Sequence, residues 1–289
     1  MSAAVGSPTP RTVVAGSGPS FARVVRAEWT KLLGLRSTHV VVVATVGLVG
    51  FLTHLSASAS SGDPGFVPTR GLADVLPLAF LGVLVLGVLV GTGEYSTGTF
   101  RTTFAAVPRR VPVLLAQAVV TAAVALWTGV LSVAAAVLGI LPAAASRAMT
   151  PDLAAAGVPA LLLGSVVFLV GAGLLGLAVG ALLRRPVPAL VAAVVLLLVA
   201  PVVLSFAAEA GNDPMAVYDP ENPPAATAAV NTVESFTPVG AGAALTNPGG
   251  GGLDGAPDLG AGGSALVLAA WVAVPLTVAA FRLRRRDLV

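Results

Sequence analysis

Cysteine is absent from the 289-residue chain, lysine occurs once, and charged residues make up only 10% of it. The missing cysteine excludes a disulfide framework and a thiolate metal site. The charged fraction lies far below the roughly 25% that is usual in soluble domains. Because 56% of the residues are hydrophobic, we expect the excess of apolar side chains to face lipid.

The 16 basic residues lie beside apolar runs rather than in one solvated patch. A basic balance indicates nucleic-acid binding only where the charges form such a patch, so we expect no nucleic-acid partner. Arginine almost replaces lysine, and alanine, valine, glycine and proline are abundant. This usage is typical of a GC-rich bacterial genome.

Long uncharged stretches dominate the chain. A helix needs roughly 20 apolar residues to cross the hydrocarbon core, because an unpaired peptide group in lipid is costly. The stretches predict an all-α integral membrane protein with six transmembrane helices. The predicted spans are residues 39–56, 74–92, 111–141, 158–183, 187–208 and 264–281.

The first span is the weakest of the six. It contains His54 and is followed by Ala57, Ser58 and Ala59, which resemble the cleavage site of a signal peptide. Cleavage there would remove the span. A signal peptide has a short charged region, however, whereas 38 residues precede this apolar run. The sequence therefore favours retention of the span.

Lysine and arginine mark alternate connections between the spans. They are retained on the cytoplasmic side during insertion, so their distribution predicts orientation. One set of connections holds 14 of them, and the other holds only Arg70 and Arg147. We therefore expect a multi-pass protein of the bacterial plasma membrane with both termini in the cytoplasm.

The segments outside the spans differ in charge. Residues 1–20 predict a disordered cytoplasmic tail, and residues 282–289 predict a basic cytoplasmic tail. The connection 209–263 has seven acidic residues and no lysine or arginine, which predicts a large external loop. Its apolar part, 233–245, is expected to re-enter the membrane or to pack on helix ends.

Residues 21–38 predict an amphipathic interfacial helix ahead of the first span. Apolar side chains recur at helical spacing, from Phe21 to Leu33, and Ser20 is placed to cap the helix. Such a helix can lie in the headgroup layer, and a simple cytosolic extension is the alternative. Its candidate functional residues are Glu28, Trp29, Lys31 and Arg36.

The cytoplasmic link between the second and third spans, residues 93–110, is short and polar. Its sequence predicts a short helix that ends at Pro108, with Phe100 and Phe104 on one face. Paired aromatic residues indicate docking, either onto headgroups or into the groove of a partner protein. The candidate residues of this link are Glu94, Tyr95, Ser96, Thr97, Gly98, Phe100, Arg101, Phe104, Arg109 and Arg110.

Motifs for chemistry within the chain are missing. No phosphate-cradling Gly-x-x-x-x-Gly-Lys-Ser/Thr sequence occurs, and the two histidines lie near opposite ends of the first span. Apart from Asp74 at the external edge of the second span, the predicted spans contain no aspartate, glutamate, lysine or arginine, which disfavours an ion-coupled carrier and a membrane-embedded enzyme. We expect no catalytic, cofactor or metal site in this chain.

Two small-residue repeats, Gly87-x-x-x-Gly91 and Gly176-x-x-x-Gly180, have the spacing that lets helices approach closely in lipid. In a chain with 33 glycines such spacing also arises by chance. The repeats alone do not say which helices meet.

Segments 28–32 (Glu-Trp-Thr-Lys-Leu), 35–38 (Leu-Arg-Ser-Thr) and 93–110 closely resemble permease subunits of bacterial ATP-binding-cassette (ABC) transporters of the type-2 exporter class. The resemblance implies six spans, an interfacial helix before the first and a coupling helix between the second and third. It implies that residues 94–110 seat in a groove of a separate cytosolic ATPase subunit, which binds the ATP. It also implies a second permease half, identical or different.

The leading hypothesis is therefore the permease subunit of an ABC exporter, with an unidentified substrate. The alternative is a membrane anchor or regulatory subunit whose external loop binds another protein. Spans without charged residues suit both functions. A neighbouring gene for a cytosolic ABC ATPase would favour export.

Overall fold

The computed structural model describes residues 20–97, 110–210, 219, 222–247 and 252–285. Most of the predicted coupling helix, the predicted tail up to residue 19 and the last four residues of the basic tail lie outside these ranges. Within them the fold is all-helical. The helices are α1 (Phe21–Gly34), α2 (Arg36–Ser60), α3 (Arg70–Val75), α4 (Phe80–Thr97), α5 (Arg110–Ser146), α6 (Val158–Leu183), α7 (Pro186–Val194), α8 (Ala200–Ala210), α9 (Ala225–Ser235), α10 (Pro238–Thr246) and α11 (Gly260–Arg285).

Six helical segments are long and apolar enough to cross a membrane, which confirms the predicted fold class. The second segment joins α3 to α4 through a 3₁₀ turn, Leu76–Ala79, and the fifth joins α7 to α8 through a π-helical turn, Val195–Val199. Pro77 and Pro201 lie in or just after these turns, where a missing amide hydrogen disrupts the regular ladder. The six segments are Arg36–Ser60, Arg70–Tyr95, Val111–Ser146, Val158–Leu183, Pro186–Ala210 and Gly260–Arg284.

Helices α4 and α6 form the centre of the bundle. The two glycine repeats face each other there, and a Cβ atom added to Gly180 would lie 2.9 Å from the carbonyl oxygen of Val88. Backbones approach this closely only where neither helix places a side chain between them. Gly176 of α6 approaches the backbone of α4 near Leu84 in the same way, and Gly87 and Gly91 of α4 approach the backbone of α6. The two repeats therefore form one helix interface.

The other spans surround this centre. The percentage of residues that are buried in the apolar part of each span is 61% in the second and fourth spans. It falls to 22%, 17% and 22% in the first, fifth and sixth spans. The exposed residues of these outer helices are largely apolar, as in α2 with Val43 and Phe51 and in α8 with Phe206. Apolar surface of this kind is compatible with lipid or with a second membrane subunit.

Helices α9 and α10 cover one end of the bundle. Helix α10 packs on α6 and α11, with Gly242 against the ring of Phe168 and Gly164 against the carbonyl group of Leu245. The indole N–H of Trp271 in α11 donates to the carbonyl oxygen of Phe236 at 2.8 Å. The apolar segment 233–245 thus packs against α6 and α11, and its re-entry into the membrane stays a prediction.

The amphipathic helix differs from its prediction in three respects. It ends at Gly34, and Arg36 already begins α2. Ser20 occupies the N-cap position, but its side chain makes no capping hydrogen bond. The buried residues are Val24, Glu28 and Leu32, whereas Phe21 is 46% exposed. The apolar pattern missed this face because it contains a glutamate, which is buried next to a basic partner.

Candidate functional site at the basic end of the bundle

Five helix ends meet at the end of the bundle opposite α10. They are α1, the C-termini of α4, α6 and α11, and the N-terminal part of α5, all joined by the contacts described below. We call this the basic end because Lys31, Arg184 and Arg282 lie here. It brings together two regions that the sequence analysis singled out separately, the interfacial helix and the start of the coupling link.

A partly buried ion pair joins these two regions. Lys31 Nζ in α1 donates to Glu94 Oε1 near the end of α4 at 2.7 Å, and Glu28 Oε2 lies 3.5 Å from the same nitrogen. The Glu94 side chain is 5% exposed, whereas that of Lys31 is 41% exposed. One partly solvated ammonium group therefore serves two buried carboxylates.

The sequence places these three groups by helical geometry. Glu28 and Lys31 are three residues apart, so they lie on the same face of α1. Gln117 in α5 is buried beside Glu28, and its side-chain amide favours the charged form of the Glu28 carboxyl group from a third helix. A small cavity of about 40 Å³ adjoins Glu28, Lys31 and Gln117. The cluster therefore links α1, α4 and α5.

Burial sets the protonation of Glu28. Loss of solvent raises the pKa of its carboxyl above the ordinary value of 4.5, and the nearby Glu94 adds to this rise. Lys31 and the side-chain amide of Gln117 oppose the rise without cancelling it. Glu28 therefore takes up a proton at a higher pH than an exposed glutamate does.

Apolar contacts hold α1 in place on both sides of the ion pair. Toward its start, Val24 packs with Val113 and Ala116 of α5. Toward its end, Leu32 packs in a cluster with Leu86 of α4 and with further α5 residues, and Trp29 lies against this cluster. These contacts fix the distance between α1 and α4, so the ion pair joins surfaces that already pack together.

A second set of contacts ties the end of α4 to α6. The guanidinium of Arg184 lies 5.1 Å from the centroid of the Tyr95 ring, at a distance suited to a cation–π interaction. Arg184 ends α6 with a φ of 59°, and its backbone N–H donates to the Gly180 carbonyl at 2.8 Å. Arg282 of α11 donates to the carbonyl oxygen of Leu182 at 3.2 Å. The last turn of α4 is thus held by α1 on one side and by α6 on the other.

The structure brings together only part of the predicted site. Glu94 and Tyr95 lie in the last turns of α4, whose backbone continues through Ser96 and Thr97, and Arg110 begins α5. Arg36 is exposed at the start of α2, outside the cluster. The predicted coupling residues Gly98, Phe100, Arg101, Phe104 and Arg109 lie outside the described residues.

Sequence reasoning missed Gln117 and Arg184 as members of this site. Gln117 is the one glutamine of the chain and interrupts an otherwise apolar stretch, which is a signal that could have identified it. Arg184 was read only as part of a topology-determining cluster. Its stacking on Tyr95 depends on how α4 packs against α6, and the sequence does not specify that arrangement.

The described ranges contain no group of three or more histidine, aspartate or glutamate side chains that could hold a metal ion. The site instead offers buried carboxylates, the ammonium group of Lys31 and the guanidinium groups of Arg184 and Arg282. Such groups can fix one helix relative to another.

No protein-family model matches the chain, and no curated protein sequence matches it.

Proposed function

We propose that this chain is the transmembrane permease subunit of a bacterial ABC exporter, driven by a separate cytosolic ATPase. Six candidate spans and the resemblance of residues 28–38 and 93–110 to such permeases support the proposal. Under it, the basic end faces the cytoplasm, and two permease halves, identical or different, form the export path. ATP is bound and hydrolysed by the partner, and this chain transmits the resulting movement.

The ion pair between Lys31 and Glu94 is the observation that carries the proposal. Glu94 is the first residue of the segment proposed to seat in the ATPase, and it is tied directly to the interfacial helix. A displacement of the coupling segment is therefore transmitted to α1 through the ion pair and to α6 through Tyr95 and Arg184. A plain loop between two spans would need neither connection.

The first experiment tests binding of the ATPase. The neighbouring genes are first searched for one that encodes a cytosolic ABC ATPase. The tagged chain is then co-expressed with that ATPase, and the recovered ATPase is quantified after purification. Phe100→Ala combined with Phe104→Ala should lower recovery about tenfold or more, as expected for aromatic anchors of an interface. Phe51→Ala is the matched control, because Phe51 is 58% exposed on the outer face of α2.

The second experiment tests transmission through the ion pair. In proteoliposomes, Lys31→Glu should abolish stimulation of ATP turnover by the permease, because three carboxylates would then meet at one buried place. Lys31→Glu combined with Glu94→Lys should restore part of it. Failure of the ATPase to bind the wild-type chain, or unchanged turnover in Lys31→Glu, would favour the anchor or regulatory function.

A further inference from the structure

A cavity of about 310 Å³ lies at the other end of the bundle, which we call the acidic end. Its walls are the end of α9, helix α10, the first two turns of α11 and the segment 252–259 that leads into α11. Ala243, Ala244, Leu253 and Leu259 supply apolar surface. The cavity is formed by this chain alone and belongs to neither the basic end nor the α4–α6 interface.

Carboxyl groups give the cavity its charge. Glu234 and Asp258 line it, and its described lining contains no lysine, arginine or histidine. Glu234 has no hydrogen-bond or ion-pair partner among the described residues, although burial is sufficient to raise the pKa of its carboxyl. Asp258 accepts a hydrogen bond from the backbone N–H of Gly260 at 2.9 Å. Glu234 is therefore the carboxylate that remains free to receive a ligand.

A buried hydroxyl group without a partner also lies in the wall of the cavity. Ser264 in α11 lines the cavity, is fully buried, and its Oγ has no hydrogen-bond partner in the described part of the chain. Buried polar groups are normally hydrogen-bonded, because an unmade bond costs free energy. A donor that enters the cavity would satisfy this oxygen.

The backbone around the cavity is held in place. The carbonyl oxygen of Glu234 accepts hydrogen bonds from the backbone N–H and the side-chain hydroxyl of Thr237, both at 2.8 Å. Trp271 holds the next turn through Phe236, and Asn231 donates to the carbonyl oxygen of Asp254 at 2.9 Å. Fixed walls lower the entropic cost of binding.

We propose that this cavity binds a small organic ammonium ion with a compact apolar body. The ammonium group donates to the Glu234 carboxylate and to Ser264 Oγ, and the apolar body lies against Ala243, Ala244 and Leu253. The charge of the surrounding sequence favours cations, because residues 209–263 contain seven acidic and no basic residues. The proposal concerns the chain itself and does not depend on the ATPase or on transport.

The test uses the purified full-length chain in detergent micelles and isothermal titration calorimetry at neutral pH. Cyclohexylammonium is the probe, and cyclohexanol is its neutral counterpart of similar shape. Wild-type protein should bind the cation at least about tenfold more tightly than the alcohol, because a charge-assisted hydrogen bond distinguishes them. Equal affinity for the two compounds would overturn the proposal.

Three variants assign the binding to the cavity. Glu234→Gln keeps the shape and removes the charge, so it should weaken cyclohexylammonium binding about tenfold or more, and Ser264→Ala should weaken it severalfold. Glu209→Gln is the control, because Glu209 is an exposed acid before the same loop and does not line the cavity. A thermal melt checks that each variant is folded. Unchanged affinity in folded Glu234→Gln, or tighter binding of calcium than of the ammonium ion, would refute the proposal.

Discussion

At the basic end, two buried carboxylates share one lysine, whereas at the acidic end the half-buried Glu234 faces an open cavity without a basic partner among the described residues. The first arrangement joins three helices and leaves only a small cavity of about 40 Å³. The second leaves charge and a hydroxyl oxygen available. Buried charge therefore has different consequences at the two ends, since it holds helices together at one end and provides a place for a ligand at the other.

The largest effect is expected from removing the shared cation. Lys31→Met leaves Glu28 and Glu94 as adjacent buried carboxylates, and it should lower the free energy of unfolding by about 2–4 kcal/mol. This range lies below that of a fully buried pair because Lys31 is partly exposed. Unfolding in mixed micelles at neutral pH measures the change.

Arg147→Met at the acidic end is the comparison for this variant. The exposed Arg147 side chain donates to the carbonyl oxygens of Ser61 and Asp63, so its loss should cost less than about 1 kcal/mol. Equal losses for Lys31→Met and Arg147→Met would remove the distinction between the two ends.

The helix interface that joins the two ends is expected to be nearly as sensitive. A Cβ atom at Gly176 would collide with the backbone of α4 near Leu84 and lie 3.1 Å from the Val88 nitrogen. Gly176→Ala should therefore cost about 1–3 kcal/mol. Gly47→Ala, where no atom lies within 4 Å, should instead gain up to about 1 kcal/mol from helix propensity. A stabilising effect of Gly176→Ala in the same unfolding assay would contradict the packing.

A smaller effect concerns the pH dependence of stability at the basic end. The pKa of Glu28 is raised in the folded state, so between its unfolded and folded pKa values the folded protein binds more protons. Stability due to Glu28 therefore increases as the pH falls through the folded pKa toward 4.5. Melting temperatures of wild-type protein and of Glu28→Gln are measured across this pH range. Because Lys31 and Glu94 are present in both proteins, the difference between the two curves reports the titration of Glu28. If the difference in melting temperature between wild-type protein and Glu28→Gln stayed constant with pH, it would contradict the raised pKa of Glu28.

The smallest change is expected in ligand affinity at the acidic end. Burial raises the pKa of Glu234, so protonation begins above pH 4.5, and binding of cyclohexylammonium should weaken as the pH falls through this raised pKa. Asp258 is the other carboxyl group that lines the cavity. Titration calorimetry at successive pH values should show the same loss in wild-type protein and in Asp258→Asn. A loss confined to wild-type protein would assign the titration to Asp258.

Much of the fold was predictable because lipid imposes a simple requirement on length and polarity. Long uncharged stretches identified the six spans, although the helices run past them, as where α5 continues to Ser146. A stretch ends where charge or polarity begins, whereas a helix ends where its backbone turns. The glycine repeats gave the spacing for close approach but no partner, and only the fold shows that Gly87 and Gly176 belong to one interface.

The candidate site was predictable only in part. Glu28 and Lys31 were identified by resemblance in one segment and Glu94 in another, and their contact depends on how α1 packs against α4 and α5. Gln117 completes the cluster from an apolar helix, where a pattern of hydrophobicity gives it little weight. The buried face of α1 was missed for the same reason, since Glu28 is polar yet buried.

The orientation of the two ends tests the account most directly. The chain has no cysteine, so single-cysteine variants at exposed positions can be labelled in intact bacterial cells with a membrane-impermeant maleimide. Ala154→Cys lies in the exposed connection between α5 and α6, and Arg185→Cys lies just beyond α6 at the basic end. We predict that Ala154→Cys is labelled in intact cells and that Arg185→Cys is labelled only after the cells are lysed. Labelling of Arg185→Cys in intact cells would contradict the membrane orientation on which the proposed function depends.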